Sequence, residues 1–269
     1  MGVILEVVSV KLVRYEKNPI LKPLPRSDWE NVCACNPAAW YDGRKVRLLY
    51  RGGPDTDLHP IFFGLAESRD GLRFKRVGRQ PVFGPSADGF DAGCVEDPRI
   101  IRLDDTYYVT YAARLAPPGP YYRWKKPLNI HVPANLKVDD APAAARWNLT
   151  RTGLAATRDF RTWKRLGPIT PSDVDDRDAI IFPERIGGKF FMIHRPSNWF
   201  GRSYPCKRPS IWMCSSHDLL AWKDSRLFAQ PAFPWEAEKI GGSTPPIRTS
   251  RGWLMLYHGV DKQFTYRVG

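Results

Sequence analysis

Apolar residues come along this chain in short, aromatic-rich bursts, each announced by turn residues. The segments "YDGRKVRLLYRGG" (41–53), "DDTYYVTYAARL" (104–115), "GGKFFMIHRP" (187–196) and "SRGWLMLYHGV" (250–260) each read as a turn followed by a strand. Within them Tyr50, Tyr111, His194 and Tyr257 recur at intervals of roughly 60 to 85 residues, the spacing of one propeller blade plus insertions. A second element alternates with the first. "LAESRDGLRFKRVG" (65–78), "LAATRDFRTWKRLG" (154–167) and "MCSSHDLLAWKDSR" (213–226) each end a strand, then set a small polar residue two places before an aspartate: Asp70, Asp159 or Asp218. Helical periodicity is nearly absent. The pattern predicts an all-β protein, a β-propeller whose four-stranded blades bury their faces on one another. The four turn–strand units are expected to begin four blades. A β-sandwich has a similar composition but does not account for the repeat.

Composition changes this picture little. The 269 residues suffice for one large domain or two small ones, and 25 Pro with 21 Gly suit many short strands and turns. The expectation is a single propeller domain over 1–269, with a Pro-rich insertion at about 116–147 that forms a loop over a binding face or a plain excursion. Aromatic content of 13% favours β-structure and also suits stacking on sugars. The net charge of +13 is spread along the chain, and its densest run is only "RWKK" at 123–126. No nucleic-acid-binding signature accompanies it. A solvated basic surface, with a field that draws in a small anion, is the expectation, and no nucleic-acid partner. Five cysteines, an odd number without a CxxC pair, argue for reduced thiols and a cytoplasmic location. "MGVILEVVSVKLV" reads as an edge strand rather than a signal peptide, and no run is long enough to span a bilayer. No group of His, Cys and carboxylates has metal-ligand spacing, so no metal is expected.

The most pointed local feature is "GCVEDPRI" (93–100). It sets Glu96 beside Asp97, then a proline expected to stop the strand. On a regular strand neighbours face opposite sides, so only one of the two carboxylates is expected in a given pocket.

Together with "NPAAWYDGRKVRLLYRG" (36–52), "GLAESRDG" (64–71), "RDAIIFPERIGGKFFMIHRP" (177–196), "IWMCSSHDLLAW" (211–222) and "KIGGSTPPIRTSRGWLMLYHGVD" (239–261), the motif "VEDPRI" resembles glycoside hydrolase family 130, the β-mannoside phosphorylases and their hydrolytic relatives. The resemblance implies a five-bladed propeller with its active site on the central axis. The family continues past "YRVG", so the last blade is expected to be incomplete or missing in this chain. It also implies the catalytic acid, Asp97, whose proton passes through the mannosyl 3-hydroxyl to the glycosidic oxygen. By motif position it assigns phosphate to Arg177, Arg195, Lys239 and His258, and places Asn36 and Arg51 near the sugar. Inorganic phosphate is then the co-substrate and no other cofactor is needed. An inverting hydrolase needs a second carboxylate to activate water, whereas phosphate is itself the attacking anion and needs cations to hold it. Asp55 follows a Gly-Gly-Pro turn and either reaches the sugar pocket or caps the turn. Glu96 is either a sugar contact or a partner for Arg99 or a nearby strand. Tyr257 adds a candidate hydroxyl, although alternation turns it away from His258. His194 is expected to pack or to support phosphate, and Trp199, Phe200 and Tyr204 to stack on the acceptor sugar. The function expected is phosphorolysis of a β-mannoside oligosaccharide. A hydrolase on the same scaffold and a non-catalytic carbohydrate-binding propeller are the alternatives, and a homo-oligomer is compatible with either.

Overall fold

The computed structural model describes residues 13–120 and 148–269. The expected N-terminal edge strand, the basic run at 123–126 and all but 116–120 of the insertion lie outside the described residues. Three four-stranded antiparallel sheets follow one another along the chain. The first holds β1 (Cys33–Tyr41), β2 (Val46–Gly53), β3 (Phe62–Ser68) and β4 (Lys75–Arg76), in that order. The second holds β5 (Cys94–Leu103), β6 (Thr106–Arg114), β7 (Arg151–Thr157) and β8 (Lys164–Pro168). The third holds β9 (Asp176–Ile181), β10 (Phe190–Pro196), β11 (Ile211–Ser216) and β12 (Lys223–Ala229). In the fourth sheet β13 (Lys239–Gly242) pairs with β16 (Tyr257–Val260), which pairs with β17 (Tyr266–Val268). Between them β14 (Ile247–Thr249) and β15 (Gly252–Leu254) form a separate ladder. The chain is thus all-β with four propeller-like blades among the described residues. No helix among those residues is long and apolar enough to cross a membrane.

Each blade stacks on the next through a layer of buried apolar side chains. Leu49, Phe63 and Leu65 of the first meet Val95, Val109 and Tyr111 of the second. Leu154 of the second packs with Ile181 and Met192 of the third, and Ile180 and Ile193 pack with Ile240 of the fourth. Strands such as β2, buried on both faces from Leu48 onward, therefore carry apolar runs rather than strict alternation. The first strands of successive blades lie against one another, β1 with β5, β5 with β9 and β9 with β13, and so mark the propeller axis.

The two sequence patterns have distinct structural meanings. The turn–strand units do not begin the blades; they are second strands, β2, β6, β10 and β15–β16. Their first strands precede them and carry the motifs of the axis. The Ser/Thr-x-Asp pattern is the turn that leaves each third strand. Asp70 Oδ1 accepts the Arg73 amide at 2.8 Å, Asp159 Oδ1 that of Thr162 at 2.7 Å, and Asp218 Oδ1 that of Ala221 at 2.9 Å. The hydroxyls of Ser68, Thr157 and Ser216 close the same turns.

The recurring tyrosines lock the second strand of a blade to the segment before its first strand. Tyr50 Oη donates to Glu30 Oε2 at 2.9 Å, and Arg76 Nε donates to Glu30 Oε1 at 2.8 Å. Tyr111 and Arg165 treat Asp91 in the same way, each at 2.9 Å. In the fourth blade Tyr257 Oη donates to Glu236 Oε1 at 2.5 Å.

Candidate active site

The first strands bulge at one shared point. Asn36, Asp97 and Asp178 sit there with φ of 45°, 51° and 56°. Asparagine and aspartate tolerate this left-handed conformation better than most residues. The ladder register slips beside each of them, between Cys35 and Ala38, between Glu96 and Arg99, and opposite the Ile193–Arg195 step of β10. Proline follows the first two, and β5 runs through Pro98 to Leu103. Pro98 therefore does not end the strand; the bulge absorbs it, because a bulged residue owes no ladder hydrogen bond.

The bulge also undoes the expectation that Glu96 and Asp97 face opposite sides. A single guanidinium nitrogen, Arg51 NH1, lies 3.0 Å from Glu96 Oε2 and 3.1 Å from Asp97 Oδ1. Glu96 is thus partnered by Arg51 of the neighbouring blade and not by Arg99. Asn36 Nδ2 donates to Asp97 Oδ1 at 2.8 Å. Asn36 and Arg51 accordingly touch the proposed acid directly. Burial pushes the Asp97 carboxyl up, but Arg51, Arg99 and the Asn36 amide together hold it below the usual carboxylate range.

Asp178 is the second carboxylate of the axis, and reading the residues one motif at a time missed it. Aligning the three first strands on Asn36, Asp97 and Asp178 would have found it. Its Oδ2 accepts the Arg195 Nε–H at 2.7 Å and lies 3.6 Å from His258 Nε2. Burial raises Asp178, yet Arg195, His258 and Arg99 keep it far below the ordinary aspartate value. His258 is pushed down, first by burial and then by Arg195, Lys239 and Arg99, against the pull of Asp178. Lys239 Nζ stands 5.2 Å from the Tyr266 ring, whose centroid is 5.5 Å from that of His258. Tyr266 is a further aromatic of this cluster that the motif reading left out. Arg177 NH2 donates to Asp175 Oδ1 at 2.9 Å and to Thr150 Oγ1 at 2.7 Å, while Glu96 and Asp178 both act on its charge. Asp178 also raises Asp97, and Arg99 acts on Asp97, Asp178 and His258 alike. Asp97, Asp178, Arg99, Arg177, Arg195 and His258 thus act on one another's charge.

Other expected residues stand elsewhere. Tyr257 gives its hydroxyl to Glu236 and packs its ring on Trp235 at 5.5 Å, on the strand face opposite His258. Asp55 is exposed on the loop after β2, its amide bonded to Asn31 Oδ1, and its charge reaches His59. His194 turns away from Arg195 and pairs Nδ1 with Asp176 Oδ2 at 2.6 Å. Trp199 and Tyr204 stack on each other at 5.9 Å, and Phe200 is exposed. A cavity of about 490 Å³ lies to the side, between residues 14–21 and blade one, lined by Cys35, Pro37 and Tyr50 rather than by the charged groups.

An acid flanked by an amide and an arginine, beside two arginines, a lysine and a histidine, can protonate a leaving oxygen while cations hold an oxyanion. Similarity to known proteins points to the same family as the motifs. The chain is 31% identical to a 1,2-beta-oligomannan phosphorylase of Thermoanaerobacter sp. (strain X514), over 97% of this chain and 75% of that protein. It is 25% identical to a beta-1,4-mannooligosaccharide phosphorylase of Ruminococcus albus, over 92% of this chain and 64% of the relative. In fold it resembles the beta-1,2-mannobiose phosphorylase of Listeria innocua in complex with beta-1,2-mannobiose, with a TM-score of 0.73 and 22% identity, covering 95% of this chain and 77% of that one. The family model described as beta-1,4-mannooligosaccharide phosphorylase matches residues 11–124 and 143–269, and with it the chain belongs to glycoside hydrolase family 130.

Proposed function

We propose that this chain is an inverting glycoside phosphorylase, cleaving a β-mannoside with inorganic phosphate to α-mannose 1-phosphate and a shortened glycan. One observation carries the reading: at the shared bulge of neighbouring first strands, Asn36 and Arg51 hold Asp97 at 2.8 and 3.1 Å, while Asp178 holds Arg195 at 2.7 Å with His258 at 3.6 Å. The relatives' names agree on phosphorolysis and divide between β-1,2 and β-1,4 linkages. The substrate is therefore stated as a β-mannoside.

In this reading a phosphate oxygen attacks C1 from the face opposite the leaving oxygen. The C1–oxygen bond breaks as that oxygen takes up the Asp97 proton, relayed by the mannosyl 3-hydroxyl. The arginines clamp phosphate oxygens and Lys239 adds a point charge. Asn36 and Arg51 orient Asp97, Glu96 contacts the sugar from its place on Arg51, and Asp55 stands at the rim. Phosphate is the co-substrate and no other cofactor is required. The five-blade count belongs to the same reading, as does a cytoplasmic location, which the five unpaired thiols support.

Asp178 favours a second reading, hydrolysis, because it supplies the second carboxylate that a water-activating enzyme needs. Its Oδ2 is taken by Arg195 at 2.7 Å, however, and an anchored, ionised carboxylate beside arginines is a poor base for a free water. A product assay on a mannobiose panel with and without phosphate separates the two. Phosphate-dependent release of a sugar phosphate is expected, and cleavage at an unchanged rate without phosphate would reject phosphorolysis. Asp97→Asn keeps the shape and removes the transferable proton, so turnover should fall by about 10²–10⁴. Full activity in that variant would move the acid elsewhere.

A further inference from the structure

The cation cluster contains its own anion. Asp178 Oδ2 accepts from Arg195 at 2.7 Å and stands 3.6 Å from His258, and its charge acts on Arg177, so it engages three of the four groups assigned to phosphate. Its side chain is only 7% exposed. Glycine at position 241 allows this placement. A Cβ there would stand 2.3 Å from Asp178 Oδ2 and 2.7 Å from the His258 ring. Asp178 Oδ1, by contrast, takes no hydrogen bond among the described residues and keeps some access to solvent.

A buried carboxylate lowers the raw affinity of a site for anions, since like charges repel strongly where water is scarce. It also changes which anions fit. An ionised carboxylate only accepts hydrogen bonds. An anion that presents nothing but lone pairs meets repulsion with no bond in return, whereas an anion that keeps a hydroxyl can donate it to the carboxylate. Phosphate retains at least one O–H in both of its abundant neutral-pH forms, and arsenate does the same. Sulfate, similar in size and tetrahedral, has none.

We propose that Asp178 makes the oxyanion site selective for a hydroxylated tetrahedral oxyanion, phosphate or arsenate over sulfate, by accepting the anion's O–H at Oδ1. The inference rests on the phosphorylase reading and deepens it. Arg195 supplies the attraction, and Asp178 beside it supplies the discrimination, a repulsive element set against the wrong ligand. No bond to the anion is made or broken in this step.

The test is phosphorolysis of a mannobiose at constant pH and ionic strength, with phosphate varied against sulfate as competitor, in wild type and Asp178→Asn. In wild type, arsenate should support turnover, and the sulfate inhibition constant should exceed the phosphate KM by at least about thirtyfold. In Asp178→Asn the amide can donate to sulfate, so sulfate inhibition should tighten while the phosphate KM rises, and the ratio should collapse by roughly tenfold or more. General damage to the site would weaken both anions together and leave the ratio unchanged, which would overturn the proposal. Wild type that binds sulfate as tightly as phosphate overturns it without any variant, so the question is decided even if Asp178→Asn does not fold. Phosphate-independent release of free mannose by wild type is a different failure: it removes the phosphorylase reading, and the selectivity falls with it.

Discussion

Asp97 is held ionised by Arg51, Arg99 and Asn36, yet the proposed reaction asks it to give up a proton. In the proposed reaction the co-substrate reconciles the two: a phosphate dianion bound at Arg177, Arg195 and Lys239 would offset the arginine field and raise the acid toward a working value. Charge tuning of the opposite sign marks His194. Burial pulls it down, but Asp176 at 2.6 Å overrides this and lifts it from 6.5 to about 10. The folded state therefore binds the His194 proton more tightly than the unfolded chain does. The stabilisation is complete below pH 6.5 and drains away as pH rises toward about 10. Melting temperature measured across that window should fall in wild type, and the decline should be absent in His194→Gln; identical slopes would contradict the pairing. Tyr257 gives a second prediction at this scale. Because its hydroxyl serves Glu236 and not the substrate, Tyr257→Phe should leave kcat/KM within about twofold and lower stability by about 1–2 kcal/mol. A large activity loss with unchanged stability would return Tyr257 to the site.

Among the elements, the bulged first strand matters most. It lets two adjacent carboxylates, Glu96 and Asp97, reach one arginine, which a regular strand forbids. At Asn36 the usual ranking of alanine over glycine should invert. Asn36→Ala must hold a left-handed φ and should be about 1 kcal/mol less stable than Asn36→Gly, while both lose the amide bond to Asp97 and fall in activity to a similar degree. Denaturant midpoints decide this, and alanine proving the more stable would remove the bulge from the account. This element also sets the limit of what was readable in the sequence. The Ser/Thr-x-Asp turns and the tyrosine row were visible because each is a short-range pattern with one physical cause. Pairing of Arg51 with Glu96 was not, because it crosses between blades. Asp178 was hidden by its neighbour: Arg177 drew attention as the anion ligand, and the carboxylate beside it was passed over. Tyr257 shows the converse, since there the β-strand rule, taken at its word, gave the right face.

The whole molecule gathers these residues by stacking blades around an axis, so that Asn36 and His258, far apart in sequence, both act within one cluster. The chain as a whole carries a net charge of +13. Its field extends over roughly a Debye length, about 8–10 Å at ordinary ionic strength and about 3 Å at 1 M salt. Raising potassium chloride over that range should increase the phosphate KM several-fold, by about 3–10 times, and leave the KM for the uncharged glycan nearly constant. Steady-state kinetics with each substrate varied in turn check this, and equal changes in both constants would show that the surface charge has no part in collecting phosphate.

Three copies of one unusual backbone turn, at Asn36, Asp97 and Asp178, face the same centre with an amide, a carboxylate and a carboxylate. Asparagine and aspartate codons differ by a single base. A gene that duplicates such a unit in tandem delivers a ready-made mount to the middle of the ring each time. One nucleotide then settles whether that mount presents a donor, an acid or an anchor for a cation, and the reaction can be revised without moving the main chain.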